Sequence, residues 1–222
     1  VGEFTSSVMT AEYKISASGM VDLGLPSGTL WATFNVGATK PEEYGNYYAW
    51  GDVVGDPYAG KTSGYSKSFN PSTDPFNGGS RSVDENYFRS HKSEWLNGDM
   101  LKPEYDAARQ VWGGDWRMPT KAEIQELIDN CSFTRTNDYN GTGVAGVIFT
   151  SRKEGYTDRS IFIPAASYGL TGLLQEPESF YGLIWSSSFN KGKAWTLCFD
   201  MDDLETFDFD RIVGMTIRPV SK

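Results

Sequence analysis

Histidine is almost missing from this chain: His91 stands alone among 222 residues. Catalysis by an activated serine or cysteine needs a base within hydrogen-bond reach. His91 lies in "FRSHKSEW" with no nucleophile motif around it and reads as a surface histidine. Cysteine is scarce too. Cys131 and Cys198 are too few for a disulfide framework and are not arranged as a zinc site. Basic residues fall short: 20 Lys and Arg face 29 Asp and Glu, for a net charge of -9. Nucleic acid is thereby excluded as a partner, because phosphate binding needs a basic surface. Anionic membrane surfaces are disfavoured for the same reason. No run is long or apolar enough to span a bilayer. No secretion signal is readable, but the chain starts at Val1, so a targeting segment is expected to be missing. Any membrane link would run through such a missing N-terminal anchor.

Aromatics, by contrast, make up 14% of the chain, and there are 24 glycines. That combination favours a turn-rich fold over a helical bundle. The length suits one sizeable core. Residues 1–20 read as a tail or linker, and 21–222 as one domain. "VDLGLPSGTLWATFNVGA" has short apolar runs broken by Gly and Pro, the pattern of a hairpin. Residues 55–82 are rich in Gly, Ser, Asn and Pro and read as a long irregular loop. Two helices are predicted. One runs from Lys102 to Val111, with Pro103 in its first turn. The other runs from Lys121 to Asn130, where Thr120 and Glu123 form a capping box and Ile124, Leu127 and Ile128 an apolar stripe. Strands follow at "VAGVIFTS", "SIFIPAAS", "LIWSSSF", "AWTLCFDM" and "MTIRPV".

In "AWTLCFDMDDLETFDFD" strand alternation puts Trp195, Leu197, Phe199 and Met201 on one face and Thr196, Cys198, Asp200 and Asp202 on the other. The first set is expected to build core. The second, with the acids and Phe207 and Phe209 that follow, is expected at the surface, where grouped aromatics typify binding sites. Trp112, Trp116, Trp185 and Trp195 are expected in the core. "WSSS" at 185–188 lacks the glycines of a nucleophile elbow, so its hydroxyls are expected to bond nearby backbone. "NGGS" and "WGGDW" lack the lysine of a phosphate loop and read as turns. The acids at 200–210 have no EF-hand spacing, and no motif supports calcium. No cofactor is expected.

Six segments in this order carry a resemblance: "VDLGLPSGTLWATFNVGA", "YYAWGD", "DAARQVWGGDWRMPTKAEIQELIDNC", "IFIPAAS", "WSSS" and "IRPV". Together they resemble the Fibrobacter-type major paralogous domain of gut-bacterial surface proteins. That domain is similar to the C-type lectin fold in the subtype shared with formylglycine-generating enzymes. The resemblance spans about 21–220, and the block from Asp106 to Cys131 is its most specific part. It implies an α+β, C-type lectin-like fold with two helices, small twisted antiparallel sheets, long irregular loops, and chain ends that meet in one sheet.

A subset of the family resembles the variable proteins of diversity-generating retroelements, in which adenine mutagenesis turns Asn codons into many residue types. This implies a variable region at about 180–213 on a fixed frame. The frame comprises Trp185, Ser186, Ser187, Ser188, Ala194, Trp195, Leu197, Phe199, Arg211, Gly214, Arg218 and Pro219. The ligand face would comprise Phe180, Tyr181, Leu183, Ile184, Thr196, Cys198, Asp200, Asp202, Asp203, Phe207, Asp208, Phe209, Asp210, Ile212 and Val213. Each of these is reachable from an Asn codon through adenines alone; Met201 and Glu205 are not. The implied ligand is a protein or glycan, on another cell or on a phage host, met at a bacterial cell surface or on a phage particle. The enzyme branch uses a late pair of cysteines, and only Cys198 is late here. The sugar-binding calcium motifs of animal lectins are absent, "EPE" at 176–178 being the nearest. A surface or pilus-tip adhesin without diversification stays open as an alternative, and so does a glycan-processing or formylglycine-generating-like enzyme.

Overall fold

The computed structural model describes residues 19–53, 55–57, 92–170, 173–174, 180–211 and 213–222. The expected surface His91, Ile212, the "EPE" segment and nearly all of the expected 55–82 loop lie outside them. The strands are β1 (Met20–Asp22), β2 (Leu30–Ala32), β3 (Asn46–Tyr47), β4 (Asp56–Pro57), β5 (Leu96–Asn97) and β6 (Met100–Leu101). Helices α1 (Ala107–Trp112) and α2 (Lys121–Asn130) follow, then β7 (Cys131–Thr136), β8 (Gly146–Ser151), β9 (Ser160–Pro164), β10 (Gly169–Leu170) and β11 (Leu173–Leu174). The last strands are β12 (Gly182–Asn190), β13 (Lys193–Phe199), β14 (Leu204–Asp210) and β15 (Val220–Ser221). Helices and small antiparallel sheets thus mix in one chain, as α+β requires. The main sheet has the order β14-β13-β12-β6-β5, and others are β7-β8-β9 and β1-β2-β15. In the last of these, β1 and β15 flank β2.

Local chemistry explains the helices. The Thr120 hydroxyl accepts from Glu123 N at 3.1 Å, and a Glu123 carboxylate oxygen accepts from Thr120 N at 2.9 Å, closing the capping box. The first helix is shorter than predicted. Pro103–Tyr105 form a 3-10 turn, and Asp106 then interrupts it in extended geometry, its carboxylate accepting from Arg109 N at 3.0 Å. Asp106 is therefore the N-cap of α1 and not an interior residue.

Glu123 does more than cap. Arg117 grips its carboxylate with two nitrogens at 2.5 and 2.7 Å, and Thr29 Oγ1 donates to it at 2.9 Å. Burial pushes this carboxyl up, but the guanidinium and the Thr120 and Thr29 donors outweigh it and hold it at about 2. A depressed carboxyl contributes stability that is full above its unfolded value and is lost as pH falls through its folded one. The loss should fall between about pH 4.5 and pH 2 and reach about 3 kcal/mol. Asp106, raised by its burial, works in the opposite direction over the acid range. We expect Glu123→Gln to be less stable at neutral pH and to show a flatter stability profile in that window, measured by denaturant midpoints. Parallel profiles for both proteins would contradict this.

Two apolar clusters lie on opposite faces of the β12–β13 pair. Ile184, Leu197 and Phe199 join Trp31, Ile124, Leu127, Phe149 and Ile163 in the first. Leu183, Trp185 and Ala194 join Tyr48, Trp50, Met118, Met215 and Ile217 in the second. A sheet covered on both faces does not alternate buried and exposed residues, which corrects two expectations. Thr196 is buried, donating to the Ile184 carbonyl at 2.7 Å. Met201 lies past the strand end and is 57% exposed. Trp185 is core, but Trp112, Trp116 and Trp195 are only half-buried. Trp112 and Trp116 meet edge to face at 4.9 Å, and the Lys121 ammonium sits 3.1 Å over Trp195. The serines after Trp185 bond as expected: Ser186 Oγ donates to the Trp195 carbonyl at 2.7 Å, and Ser188 Oγ accepts from Lys121 N at 3.0 Å.

Arg218 is fully buried, and among the described residues no carboxylate is a hydrogen-bond partner of it. Its Nε donates to Asn35 Oδ1 at 2.8 Å, and its two terminal nitrogens to the Ala32 and Phe162 carbonyls at 3.0 and 2.8 Å. It ties β2, the segment after it, and β9 together. Burial pulls its guanidinium down to about 9, so it stays charged at neutral pH.

Candidate functional site

The site is built on β14, where the sequence predicts exposed acids and phenylalanines but no strand. Its register with β13 is regular: Phe199 faces Leu204, Cys198 faces Glu205, Thr196 faces Phe207 and Ala194 faces Phe209. Residues paired across a sheet share a face. Glu205, Phe207 and Phe209 therefore share the face of Cys198 and Thr196. Leu204, Thr206, Asp208 and Asp210 share the other, with Leu197 and Trp195.

That second face is occupied. Helix α2 packs against it, bringing Ile124 and Leu127 to Leu197 and Phe199, with Leu204 at the edge of the cluster. The Thr206 hydroxyl donates to Gln125 Oε1 at 3.4 Å. Asp208 is held by Asn190 Nδ2 at 2.7 Å and by the Lys193 ammonium at 3.5 Å.

The first face leaves aromatics near water. Tyr181 and Tyr168 meet edge to face with centroids 6.0 Å apart, Tyr168 and Phe209 lie 6.0 Å apart, and Phe209 and Phe207 5.9 Å. The four rings form one chain that rises from the second core to the surface. Tyr168, Tyr181 and Phe209 are half-buried, and Phe207 is 47% exposed. The Cys198 thiol lies among them, 3.6 Å from the Tyr181 hydroxyl.

Acids rim this chain. Asp200 Oδ1 accepts from the N–H groups of Asp202 and Asp203, both at 2.8 Å, and fixes the β13–β14 turn. Arg135 bonds the Asp200 and Asp203 carbonyls at 2.6 and 3.0 Å from the outside. Asp202, Asp203 and Glu205 are left exposed. Burial pushes the Cys198 thiol up, and the Asp200, Glu205 and Asp203 carboxylates push it further. Burial raises the Tyr181 phenol, and its contact with Cys198 adds to the shift. Both groups stay protonated at neutral pH. Burial likewise takes the Cys131 thiol to about 11. Neither thiol is a prepared nucleophile, since reactivity follows the thiolate. We expect a thiol-reagent titration at pH 8 to show no fast phase in the native protein and two reactive groups after unfolding; a fast native phase would contradict the assignment.

The fifteen expected face residues divide. Tyr181, Cys198, Asp200, Asp202, Asp203, Phe207 and Phe209 come together. Phe180, Leu183, Ile184, Thr196 and Val213 are buried and belong to the cores. They pass a codon test, which senses no burial. Asp208 and Asp210 are separated from Phe209 by the two-residue period of β14, so the three do not form one surface. Tyr168 and Glu205 are the members that sequence reasoning omits. Tyr168 follows "PAAS" in the short connection between β9 and β10, with nothing local to mark it. Glu205 fails the adenine test, but the alternation Glu205, Phe207, Phe209 places it.

Among the described residues, no three His, Cys, Asp or Glu side chains are placed to hold a metal ion. A separate cavity of about 400 Å³, lined by Leu23, Gly24, Pro26, Asp129, Asn130, Arg152 and Lys153, includes none of the face residues. What the face offers is ring surface, the Tyr168 and Tyr181 hydroxyls, the Cys198 thiol and a rim of negative charge. No helix among the described residues is long and apolar enough to cross a membrane. No protein-family model matches the chain, and neither a curated protein nor a solved structure matches it.

Proposed function

We propose that this chain is a surface-displayed ligand-binding protein with a C-type lectin-like fold, and that the Tyr181–Tyr168–Phe209–Phe207 chain with its acidic rim is its binding face. The observation that carries this is the division of labour across β13 and β14. Leu197, Phe199 and Ala194 are fully buried, while Phe207, Glu205, Asp202 and Asp203 project from the same short hairpin. Large aromatics at the centre of a surface with a polar rim are the usual anchors of an interface. Helices α1 and α2, small antiparallel sheets and the sharing of one sheet by β1 and β15 support the lectin-like reading.

Diversification by a retroelement is the reading of the same face at gene level. Cys198, Asp202, Asp203 and Phe207 are adenine-reachable and at least partly exposed, so they are the positions where it would act. A second reading, an adhesin module with a fixed face, draws support from Glu205, which adenine changes cannot produce and which sits between Cys198 and Phe207. The DNA beside the gene tests the choice. A near-copy of the codons for 180–213, differing only at adenines and mismatched at the exposed positions, supports diversification. Its absence leaves the adhesin reading.

A further inference from the structure

The outer edge of β14 is the feature the proposed face does not yet use. β14 is seven residues long and ends the main sheet, and no strand among the described residues pairs with its far side. The direction of its peptide groups follows from two bonds. Asp200 N donates to the Asp203 carbonyl at 3.0 Å, closing the turn, and Trp185 N donates away from β13 to the Thr216 carbonyl at 3.1 Å. With the alternation of an antiparallel ladder, Glu205, Phe207 and Phe209 bond inward to β13. Leu204, Thr206 and Asp208 then turn their N–H and C=O groups outward. An open edge of this length is a template for another strand.

Charge decides which strand. A second copy pairing edge to edge would set Glu205, Asp208 and Asp210 opposite the same acids if parallel, and would still lay one acidic strand along another if antiparallel, so like charge opposes self-pairing. Cationic side chains on an incoming strand would meet Glu205 on the aromatic face and Asp210 on the other, with apolar or aromatic residues falling beside Phe207. We infer that the binding face takes an extended, lysine- or arginine-bearing protein segment, added to β14 as a further strand. This rests on the face proposed above and adds to it the backbone edge and the chemistry of the partner.

The test uses a synthetic peptide of about nine residues with lysines spaced to fall opposite Glu205 and Asp210, on opposite faces of the strand, and valine or tyrosine opposite Phe207, the length and pattern of strand addition. Titration calorimetry at low salt should show binding that weakens steeply between about 50 and 500 mM salt. N-methylating alternate residues on the edge that meets β14 should weaken it by about tenfold or more, because those donors are lost. Methylating the opposite edge should change little. Thr206→Pro removes one outward donor and spares the β13 ladder, as an edge proline can, and should weaken binding similarly. Exchange of the Leu204, Thr206 and Asp208 amides should slow on binding. If both methylated peptides bind equally but Glu205→Lys and Phe207→Ala abolish binding, the strand-addition inference is overturned while the face stands. If none of these changes alters affinity, the face itself is overturned as the peptide's site. If a glutamate-for-lysine peptide binds as tightly, or the lysine peptide does not bind and a glycan does, the cationic partner is overturned.

Discussion

Arg218→Ala should lose about 3–5 kcal/mol of stability, the scale for removing one member of a buried, hydrogen-bonded charge site. In a domain of this size that is a fall of roughly 6–20 °C in Tm. The guanidinium is completely buried and spends its donors on Asn35, Ala32 and Phe162, which come from different parts of the chain. Alanine leaves a hole and three acceptors that have lost a donor. Methionine fills much of the hole but bonds nothing, so Arg218→Met should recover part of the loss and no more. Lysine cannot offer the planar fork that reaches three acceptors at once. Arg218→Lys should therefore remain well below the parent. Thermal melts of the three variants measure the order directly. A lysine variant as stable as the parent would show that the charge matters and the fork does not.

Ile184→Asn should be as damaging, and Phe207→Asn nearly silent. Both residues are within 180–213, the segment proposed as variable, and both are reachable from an asparagine codon by changing adenines. Ile184 is fully buried between Leu197 and the α2 face. Asparagine there loses apolar contact and buries an amide without prepared partners, a cost of about 3–5 kcal/mol. Phe207 is 47% exposed and gives up mainly its edge contact with Phe209. An aromatic pair of that kind is worth about 1 kcal/mol. The contrast sets the boundary of the replaceable surface. A tolerated Ile184→Asn would mean that the first core yields more than its packing suggests.

Much of the frame is legible in the sequence. The Thr120–Glu123 box and the Ile124, Leu127 stripe specify α2 through local hydrogen bonds and helical spacing, and α2 is where they put it. The Val21–Trp31 hairpin and strands β8, β9, β12 and β13 were readable from β-rich runs bounded by turn residues. Asp106 was not read as a cap, because an acid ahead of "AARQ" looks the same whether it starts a helix or lies inside one. The site was half legible. Acids and phenylalanines at 200–210 mark a surface, but whether "LETFDFD" is a turn or a strand depends on β13 lying beside it. Once it is a strand, Asp208 and Phe209 must point apart. Burial of Leu183 and Thr196 was hidden for a related reason: the second core covering them comes from distant residues such as Tyr48, Trp50 and Met215. The ring of Tyr168 reaches Phe209 only in three dimensions.

The most direct test of a replaceable face on a fixed frame is a pair of display libraries. One randomises Cys198, Asp202, Asp203, Glu205 and Phe207; the other randomises Leu183, Ile184, Thr196 and Val213. Folded display is scored by protease resistance, and the first library is panned against cationic and neutral protein targets. The account predicts that most members of the first library stay folded and yield binders of differing specificity, while most members of the second are digested. Equal survival of the two libraries, or a first library that collapses, would contradict it.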